Sequence, residues 1–261
     1  MTNRPRPRNR PQDKVLNAVA AAKKDMSVPV FGISQLDFRR TLKKTKRAII
    51  PVGSLEQHGQ HLPVSTDSII VEHIAGLVAR NVGAYVLPVI PYGVSFEHKP
   101  LFNISVRNAT LSALICDACI SLAENKIQDT IILNGHHGNV GALQYIAQEL
   151  HGSMPAKTSI HTVHYWHAMQ HEFDHAGEVE TSLMLAIAPE LVRMSRARPN
   201  SKRLSKSKVA YDSMTNAPGS FPRITGNGVW GDPRKASAGK GKKWIEEITM
   251  NLSRTIRELG R

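Results

Sequence analysis

Residues 47–67 read RAIIPVGSLEQHGQHLPVSTD, an apolar run followed by two carboxylates and two imidazoles. The apolar part, 47–52, predicts a short buried strand. Glu56 and His58 follow its carboxyl end, where open α/β sheets hold their ligands. Residues two apart in an extended segment project the same way, so these two side chains can converge on one point. Asp67 precedes the periodic run 69–82 and is expected at the start of the next helix. This pattern is typical of a metal site.

Strand-like and helical patterns alternate along the rest of the chain. Apolar strand-like runs are predicted at 47–52, 84–90, 130–133 and 158–163. Helical periodicity is predicted at 34–42, 68–82, 109–125, 139–150, 178–188 and 242–259. Because parallel strands need crossover helices, this alternation predicts an α/β fold with a mainly parallel sheet covered on both faces. Segment 193–243 is rich in Pro, Gly, Ser and Lys. We expect a long loop-rich excursion there, packed over one end of the sheet or supplied to a neighbouring subunit.

Length and composition indicate one sizeable domain. The chain has 261 residues, of which 41% are hydrophobic, and we expect a single domain over 28–261. No apolar run reaches the roughly 18 residues that a membrane-spanning helix needs. The basic N-terminus has no signal-peptide core, so we expect a soluble, cytoplasmic protein. Cys116 and Cys119 are the only cysteines, and we interpret them as small residues on a buried helix face.

The net charge of +13 is concentrated in three segments. Residues 1–14 carry five Lys or Arg against one Asp, 193–208 carry seven against no acid, and 234–243 carry five against no acid. Residues 1–14 alternate Arg with Pro and Asn, which predicts a disordered basic tail. No aromatic platform or helix-turn-helix pattern accompanies these charges, so they favour solvated loops over nucleic-acid binding. An anionic small substrate held by loop Arg and Lys side chains stays open.

Three further segments carry chemistry at predicted strand or helix ends. Asn134 to Asn139 (NGHHGN) follows a strand and brings His136 to the edge where Glu56 and His58 lie. Residues 175–182 (HAGEVETS) open a helix with two carboxylates beside an imidazole. Residues 92–98 (YGVSFEH) follow the strand at 84–90 and form a loop on the substrate side.

The donor types narrow the choice of metal. The strand and helix ends supply both oxygen and nitrogen ligands, from Glu, His, Asp and His side chains. Such a mixture suits Zn(II), Mn(II) or Fe(II) rather than calcium. A carboxylate from the Glu178 region would bring the count to five, too many for one tetrahedral site with an open position. The set is natural for two metal ions that share a carboxylate, acidify a water and polarise a carbonyl.

The motifs GSLEQHGQHLPVSTD, NGHHGN and HAGEVETSLM resemble those of the creatininase family, the creatinine amidohydrolases, over about residues 34–188. The resemblance implies a three-layer α/β/α sandwich, usually assembled as hexamers, and hydrolysis of C–N bonds in small amides. It also implies that Glu56, Asp67 and His136 surround one metal and that His58 and Asp67 hold the second, with Asp67 bridging. The chain is nearer the non-creatininase members, such as archaeal formamidopyrimidine ribotide deformylases.

Two departures from creatininase itself carry information. Creatininase has a glutamate ligand of the second metal where this chain has Gly138, and we expect Glu178 to take over that coordination position. Glu180 matches an acid of the family, and we expect it at the catalytic site, supporting the ligands or holding the turn. Creatininase has a tryptophan where this chain has His171, so the aromatic wall for creatinine is missing. His175 matches the residue that handles protons in the family, and we expect it to act as general acid and base.

The sequence leaves several functions open. Phosphorylated formamidopyrimidine hydrolysis is favoured by the basic loops, with creatinine hydrolysis and trimming of a redox-cofactor precursor peptide as alternatives. A nucleic-acid-associated protein acting through the basic tail and a structural subunit without turnover are alternatives of other classes. For substrate contacts, the loop positions suggest Ser95, Glu97 and His98, together with His137 beside the predicted ligand.

Overall fold

The computed structural model describes residues 28–202 and 217–259. Five parallel strands form one sheet with the order β1-β3-β2-β4-β5. They are β1 (Val28–Pro29), β2 (Arg47–Val52), β3 (Tyr85–Val86), β4 (Asp129–Asn134) and β5 (Ser159–His164). The α-helices are α1 (Gln35–Thr41), α2 (Thr66–Val82), α3 (Asn108–Glu124), α4 (Val140–Leu143), α5 (Ile146–Glu149), α6 (Glu178–Ile187), α7 (Ser220–Thr225) and α8 (Ala238–Leu259). The predicted basic tail, 1–14, lies outside the described residues.

The central strands are buried on both faces because their apolar residues continue without alternation. Ile49 and Ile131 pack with α2, α6 and α8 on one face. Their neighbours Ile50 and Ile132 pack with α3, α4 and α5 on the other face. The predicted three-layer α/β/α sandwich with a parallel sheet is therefore confirmed.

Two elements differ from the prediction. Only Tyr85–Val86 of the run 84–90 forms a strand, since Pro88 has no N–H to offer the ladder. The helix expected at 139–150 is divided into α4 and α5. Side chains from outside the helix, Ser112 and Thr162, donate to the carbonyls of Ala142 and Leu143, respectively. These bonds satisfy carbonyls that a continuous helix would bond internally.

The late segment covers the carboxyl edge of the sheet in the same chain. Of the predicted excursion 193–243, residues 203–216 lie outside the described part. The remainder contains α7, short 3₁₀ turns and the first residues of α8. Cys116 and Cys119 are buried on α3, as expected. No helix among the described residues is long and apolar enough to cross a membrane.

Candidate metal centre

The candidate site lies beyond the carboxyl ends of β2 and β4. The loop after β2 supplies Glu56 and His58, and the first turn of α2 supplies Asp67. His136 follows β4. Gly135 allows this turn to lie against α2, because a Cβ there would meet the Cβ of Val71 at 2.5 Å. The register of the two parallel strands, with Val52 opposite Asn134, places both loops at the same edge.

Asp67 stands at the centre of the cluster. Its Oδ1 lies 3.2 Å from His58 Nε2, and its Oδ2 lies 3.1 Å from His136 Nδ1. The Ser54 hydroxyl donates to Oδ2 at 2.7 Å. Only 2% of the Asp67 residue surface is exposed, so its two oxygens face two different histidines inside the protein.

Glu56 provides a test of whether these side chains suit a cation. His98 Nε2 lies 3.1 Å from Oε1, and His136 Nε2 lies 3.2 Å from Oε2. Both oxygens are buried, and neither accepts a hydrogen bond from a described residue. A buried carboxylate without hydrogen bonds is costly, whereas nitrogen and oxygen donors that converge without bonding each other suit a shared metal ion. The residues therefore fit a divalent metal.

Glu180, and not Glu178, completes the cluster. Glu180 Oε2 lies 3.5 Å from His58 Nε2 and is buried. Glu178 Oε1 is 2.5 Å from Lys240 Nζ, on the partly exposed side of α6. Residues two apart on a helix point in directions about 200° apart, so only one of the two acids can face the cluster. The coordination position that we expected Glu178 to fill is thus occupied in space by Glu180.

Four groups of donors could each hold a metal ion, since their ligand atoms lie within 4.8 Å of one another. The groups are Glu56, Asp67 and His136; His58, Asp67 and Glu180; Glu56, His58 and His175; and Glu56, Glu97 and His98. The first two share Asp67. Together they contain every expected ligand except Glu178.

Opposite charges set the ionisation of the cluster. Burial by itself would lower the pKa of His136, but Glu56 and Asp67 raise it to about 10. Burial likewise opposes protonation of His58, yet Asp67 and Glu180 raise its pKa well above the usual value. Burial would raise the pKa of Asp67, but His58 and His136 hold it well below its usual range. His58 and His136 therefore behave as the protonated partners of ion pairs, and a metal that binds them would have to displace their protons.

His175 is a neutral histidine of the site. Burial, together with the neighbouring His58 and His98, holds its pKa well below the usual value. Its Nδ1 lies 3.7 Å from Glu56 Oε1 and 3.9 Å from Glu180 Oε2, and its side chain is 14% exposed. A neutral imidazole at the open side of a carboxylate cluster can accept a proton.

The residues proposed for substrate contact fall into two sets. Ser95, Glu97 and His98 reach the cluster. Ser95 Oγ is 3.4 Å and Glu97 Oε1 is 3.9 Å from His136 Nε2. His137 is exposed and lines the same pocket, and its ring centroid lies 6.0 Å from that of Trp166. His171 stacks on Trp244 at 4.8 Å and does not line the pocket.

Sequence reasoning missed four residues of the site. Ser54 holds Asp67, and Gln57 contacts His98 and His175. Asp174 accepts the Val179 N–H at the start of α6, and burial beside Glu180 raises its pKa to about 8. The ring of Phe221 on α7 lies 4.7 Å from that of His98. Gln57 could have been noticed inside the Glu-x-His motif, but no local pattern points to Phe221.

The fold and this cluster define a three-layer α/β protein with a candidate metal centre at the carboxyl edge of its parallel sheet. The family model described as creatininase, creatinine amidohydrolase, matches residues 33–256. The chain therefore belongs to the creatininase family of hydrolases, as the sequence motifs predict.

Curated relatives differ in their named activities. The mycofactocin precursor peptide peptidase of Mycobacterium tuberculosis is 32% identical over 247 residues, covering 88% of this chain and 92% of that protein. The creatinine amidohydrolase of Pseudomonas putida is 26% identical over 235 residues, covering 80% and 88%. The 2-amino-5-formylamino-6-ribosylaminopyrimidin-4(3H)-one 5'-monophosphate deformylase of Methanobrevibacter ruminantium is 34% identical over 102 residues, covering 36% and 41%.

Solved creatininase structures share the fold. A mutant creatininase of the Zn–Zn type superposes with a TM-score of 0.73 at 24% identity, covering 90% of this chain and 98% of its own. A manganese creatininase gives a TM-score of 0.74 at 24% identity, covering 89% and 98%.

Proposed function

We propose that the chain is a dinuclear metal-dependent amidohydrolase that cleaves a C–N bond in a small cyclic amide or formamide. The observation that supports this most is the position of Asp67, whose two oxygens face His58 and His136 at 3.2 and 3.1 Å. A carboxylate placed in this way suits a bridge between two ions. Glu56, Asp67 and His136 would hold one ion, and His58, Asp67 and Glu180 the other, with Zn, Mn or Fe as candidates.

The chemistry requires an acidified water and a polarised carbonyl, which two divalent ions supply when bound. The protein residues then have to move protons and exclude bulk water. His175 lies at the open side of the cluster and is neutral, so it can take a proton from the attacking water and return it to the leaving nitrogen. Glu180 connects the proposed ligand His58 with the turn before α6, because its Oε2 lies near His58 and also accepts the Ala176 N–H at 2.6 Å. This bond fixes the turn that carries His175.

The residues that line the pocket indicate which substrates it could accept. His171 lies away from the pocket, which argues against creatinine held by an aromatic wall at that position. No Lys or Arg lines the pocket in the described part of the chain, whereas Glu56, Glu97 and Asp174 do. This wall favours an uncharged amide or formamide group at the site of reaction. A phosphorylated formamidopyrimidine would need its phosphate bound by residues elsewhere.

A peptide substrate is the second candidate. The peptidase of M. tuberculosis matches 88% of this chain, whereas the match to the deformylase is limited to 36%. The amide hydrolysed would then be a peptide bond near the end of a precursor peptide. The same two metal ions and His175 would serve either substrate.

The decisive experiment combines metal analysis with a substrate panel. The purified full-length protein, loaded with Zn, Mn or Fe(II), is incubated with formamides, lactams, creatinine and short peptides. We expect two ions per chain and hydrolysis of at least one amide class.

Glu180→Gln and Glu178→Gln form a matched pair on the same helix. The first should lose an ion and most of the activity, whereas the second should retain both. Equal loss in the two variants, or one ion per wild-type chain, would contradict the proposed ligand set.

The alternative of a nucleic-acid-associated protein has its own test. Deletion of residues 1–14 should leave hydrolysis unchanged if the metal centre is the functional site. If the full-length protein hydrolyses nothing and binds RNA or DNA only when it carries this tail, the hydrolase proposal fails.

A homo-oligomer, for which the family resemblance implies a hexamer, stays a prediction that sedimentation can test.

A further inference from the structure

Gln57 lies between two proposed ligands in the sequence, yet it does not line the pocket and instead contacts His98 and His175. It is 7% exposed, and its carboxamide is held by two backbone groups whose polarity is unambiguous. The Gly59 N–H donates to Oε1 at 3.0 Å, and Nε2 donates to the Gly228 carbonyl at 2.8 Å. If the amide were flipped, its NH₂ group would face the Gly59 N–H and its oxygen would face the Gly228 carbonyl, so neither hydrogen bond could form. The orientation of the amide is therefore known.

The second N–H of this amide determines the proton position on His98. Nε2 of Gln57 lies 2.9 Å from His98 Nδ1. Since Nε2 can only donate, His98 Nδ1 accepts. The proton of the neutral imidazole then resides on His98 Nε2, which faces the pocket 3.1 Å from Glu56 Oε1.

The backbone carbonyl of Gln57 determines the proton position on His175. His175 Nε2 lies 3.1 Å from this carbonyl oxygen and 3.2 Å from Gln57 Nε2. If His175 Nε2 carried a lone pair, two acceptors would lie in contact at 3.1 Å. With a proton on Nε2, His175 donates to the carbonyl, and each hydrogen in the network has one acceptor. The lone pair is then on Nδ1, the atom directed at Glu56 and Glu180.

We infer that Gln57 is a positioning residue that holds His98 and His175 in the same neutral tautomer, protonated on Nε2, and thereby gives them opposite roles. The two rings present opposite edges to the pocket. His98 offers an N–H, and His175 offers a lone pair. Phe221 contacts both rings, at centroid distances of 4.7 and 4.9 Å, and limits their rotation.

The division of roles makes His98 a further catalytic residue, on the condition that the proposed hydrolysis takes place. Water forms the new O–C bond and passes its proton to His175 Nδ1. The C–N bond breaks, and the same proton goes to the leaving nitrogen. His98 transfers no proton. Its Nε2–H contacts Glu56 without the alignment of a hydrogen bond, so it can donate to the carbonyl oxygen as negative charge develops there.

Histidine tautomers can be measured directly and without a substrate. Long-range ¹H–¹⁵N spectra of full-length protein with ¹⁵N-labelled histidine distinguish the two neutral tautomers from the cation. They are recorded on metal-free and zinc-loaded samples, with assignment by His98→Gln and His175→Gln. We expect Nε2–H for both histidines in the wild type. A proton on His98 Nδ1 would overturn the inference, and no variant of Gln57 has to fold for that result.

Gln57→Glu tests the cause. Its carboxylate can only accept, so the His98 proton should move to Nδ1. The kcat on the best panel substrate should fall about 100-fold, the lower range for loss of one donor to a developing oxyanion, while KM changes less than threefold. Gln60→Glu makes the same charge change at an exposed neighbour and should alter neither. An unchanged His98 tautomer in Gln57→Glu would refute the role of Gln57. Absence of hydrolysis by the wild type, with the expected tautomers, would instead refute the proposed function.

Discussion

The family resemblance implies a metal ligand at the position that Gly138 occupies in this chain, and the structure predicts that even a methyl group there is destabilising. A Cβ at Gly138 would lie 2.1 Å from the Val94 carbonyl oxygen, 2.5 Å from His136 Nε2 and 2.8 Å from Glu97 Oε1. Normal contact would require a shift of about 1 Å in backbone or in His136, which itself lies 2.8 Å from the Val94 oxygen. Insertion of one methyl group into a packed site typically costs about 1–3 kcal/mol.

We therefore predict that Gly138→Ala lowers the free energy of unfolding by about 2 kcal/mol. For a chain of this size, that corresponds to a fall in Tm of about 4–8 °C. Displacement of His136 should also weaken metal binding by about 10- to 100-fold, as loss of ligand orientation does elsewhere.

The assay is thermal unfolding of the metal-free protein, followed by zinc titration. Gly141→Ala is the matched control, because a Cβ there meets nothing within 4 Å. It lies in α4 and should raise stability by up to about 1 kcal/mol. If Gly138→Ala unfolded at the wild-type temperature and bound zinc with wild-type affinity, the steric reasoning would be refuted. The ligand missing at residue 138 could then be restored by a side chain at that position.

Three further outcomes are expected. Asp67→Asn should reduce the bound metal from two ions to one or none and lower hydrolysis more than about 100-fold; full metal content by elemental analysis would exclude a bridging role. Zinc loading near pH 7 should release about two protons, from His58 and His136, because neighbouring carboxylates raise the pKa of His58 well above its usual value and that of His136 to about 10; calorimetry in buffers of different ionisation enthalpy counts them, and zero release would contradict the ion pairs. The metal-free protein should also lose stability at alkaline pH. The folded pKa of His136, about 10, exceeds its ordinary value of 6.5, so this contribution is fully present below pH 6.5 and is lost as pH rises through about 10. Denaturation midpoints measured across that range would show no such decline if His136 were neutral in the folded protein.

The pattern of apolar residues predicted the main helices and strands because apolar side chains are the ones that these elements bury. Residues 47–52 and 130–133 are continuously apolar after their first residue, and both runs lie in central strands with helices on each face. The errors occurred where long-range contacts override local pattern. The helix expected at 139–150 is interrupted where Ser112 and Thr162, both from outside it, bond its carbonyls.

At the site, the sequence by itself determined which residues lie at the carboxyl ends of parallel strands. Strand order and register place the loops after β2 and β4 at the same edge of the sheet. This brings together Glu56, His58, Asp67 and His136. The choice between Glu178 and Glu180 was decided by the tertiary structure, since it depends on the rotation of α6 against α2 and α8. The same is true of Gln57, whose hydrogen-bond partner Gly228 lies 171 residues further along the chain. The spacing of residues along a strand or helix determines the direction in which a side chain projects from the backbone. The residues that it then contacts are determined by tertiary packing.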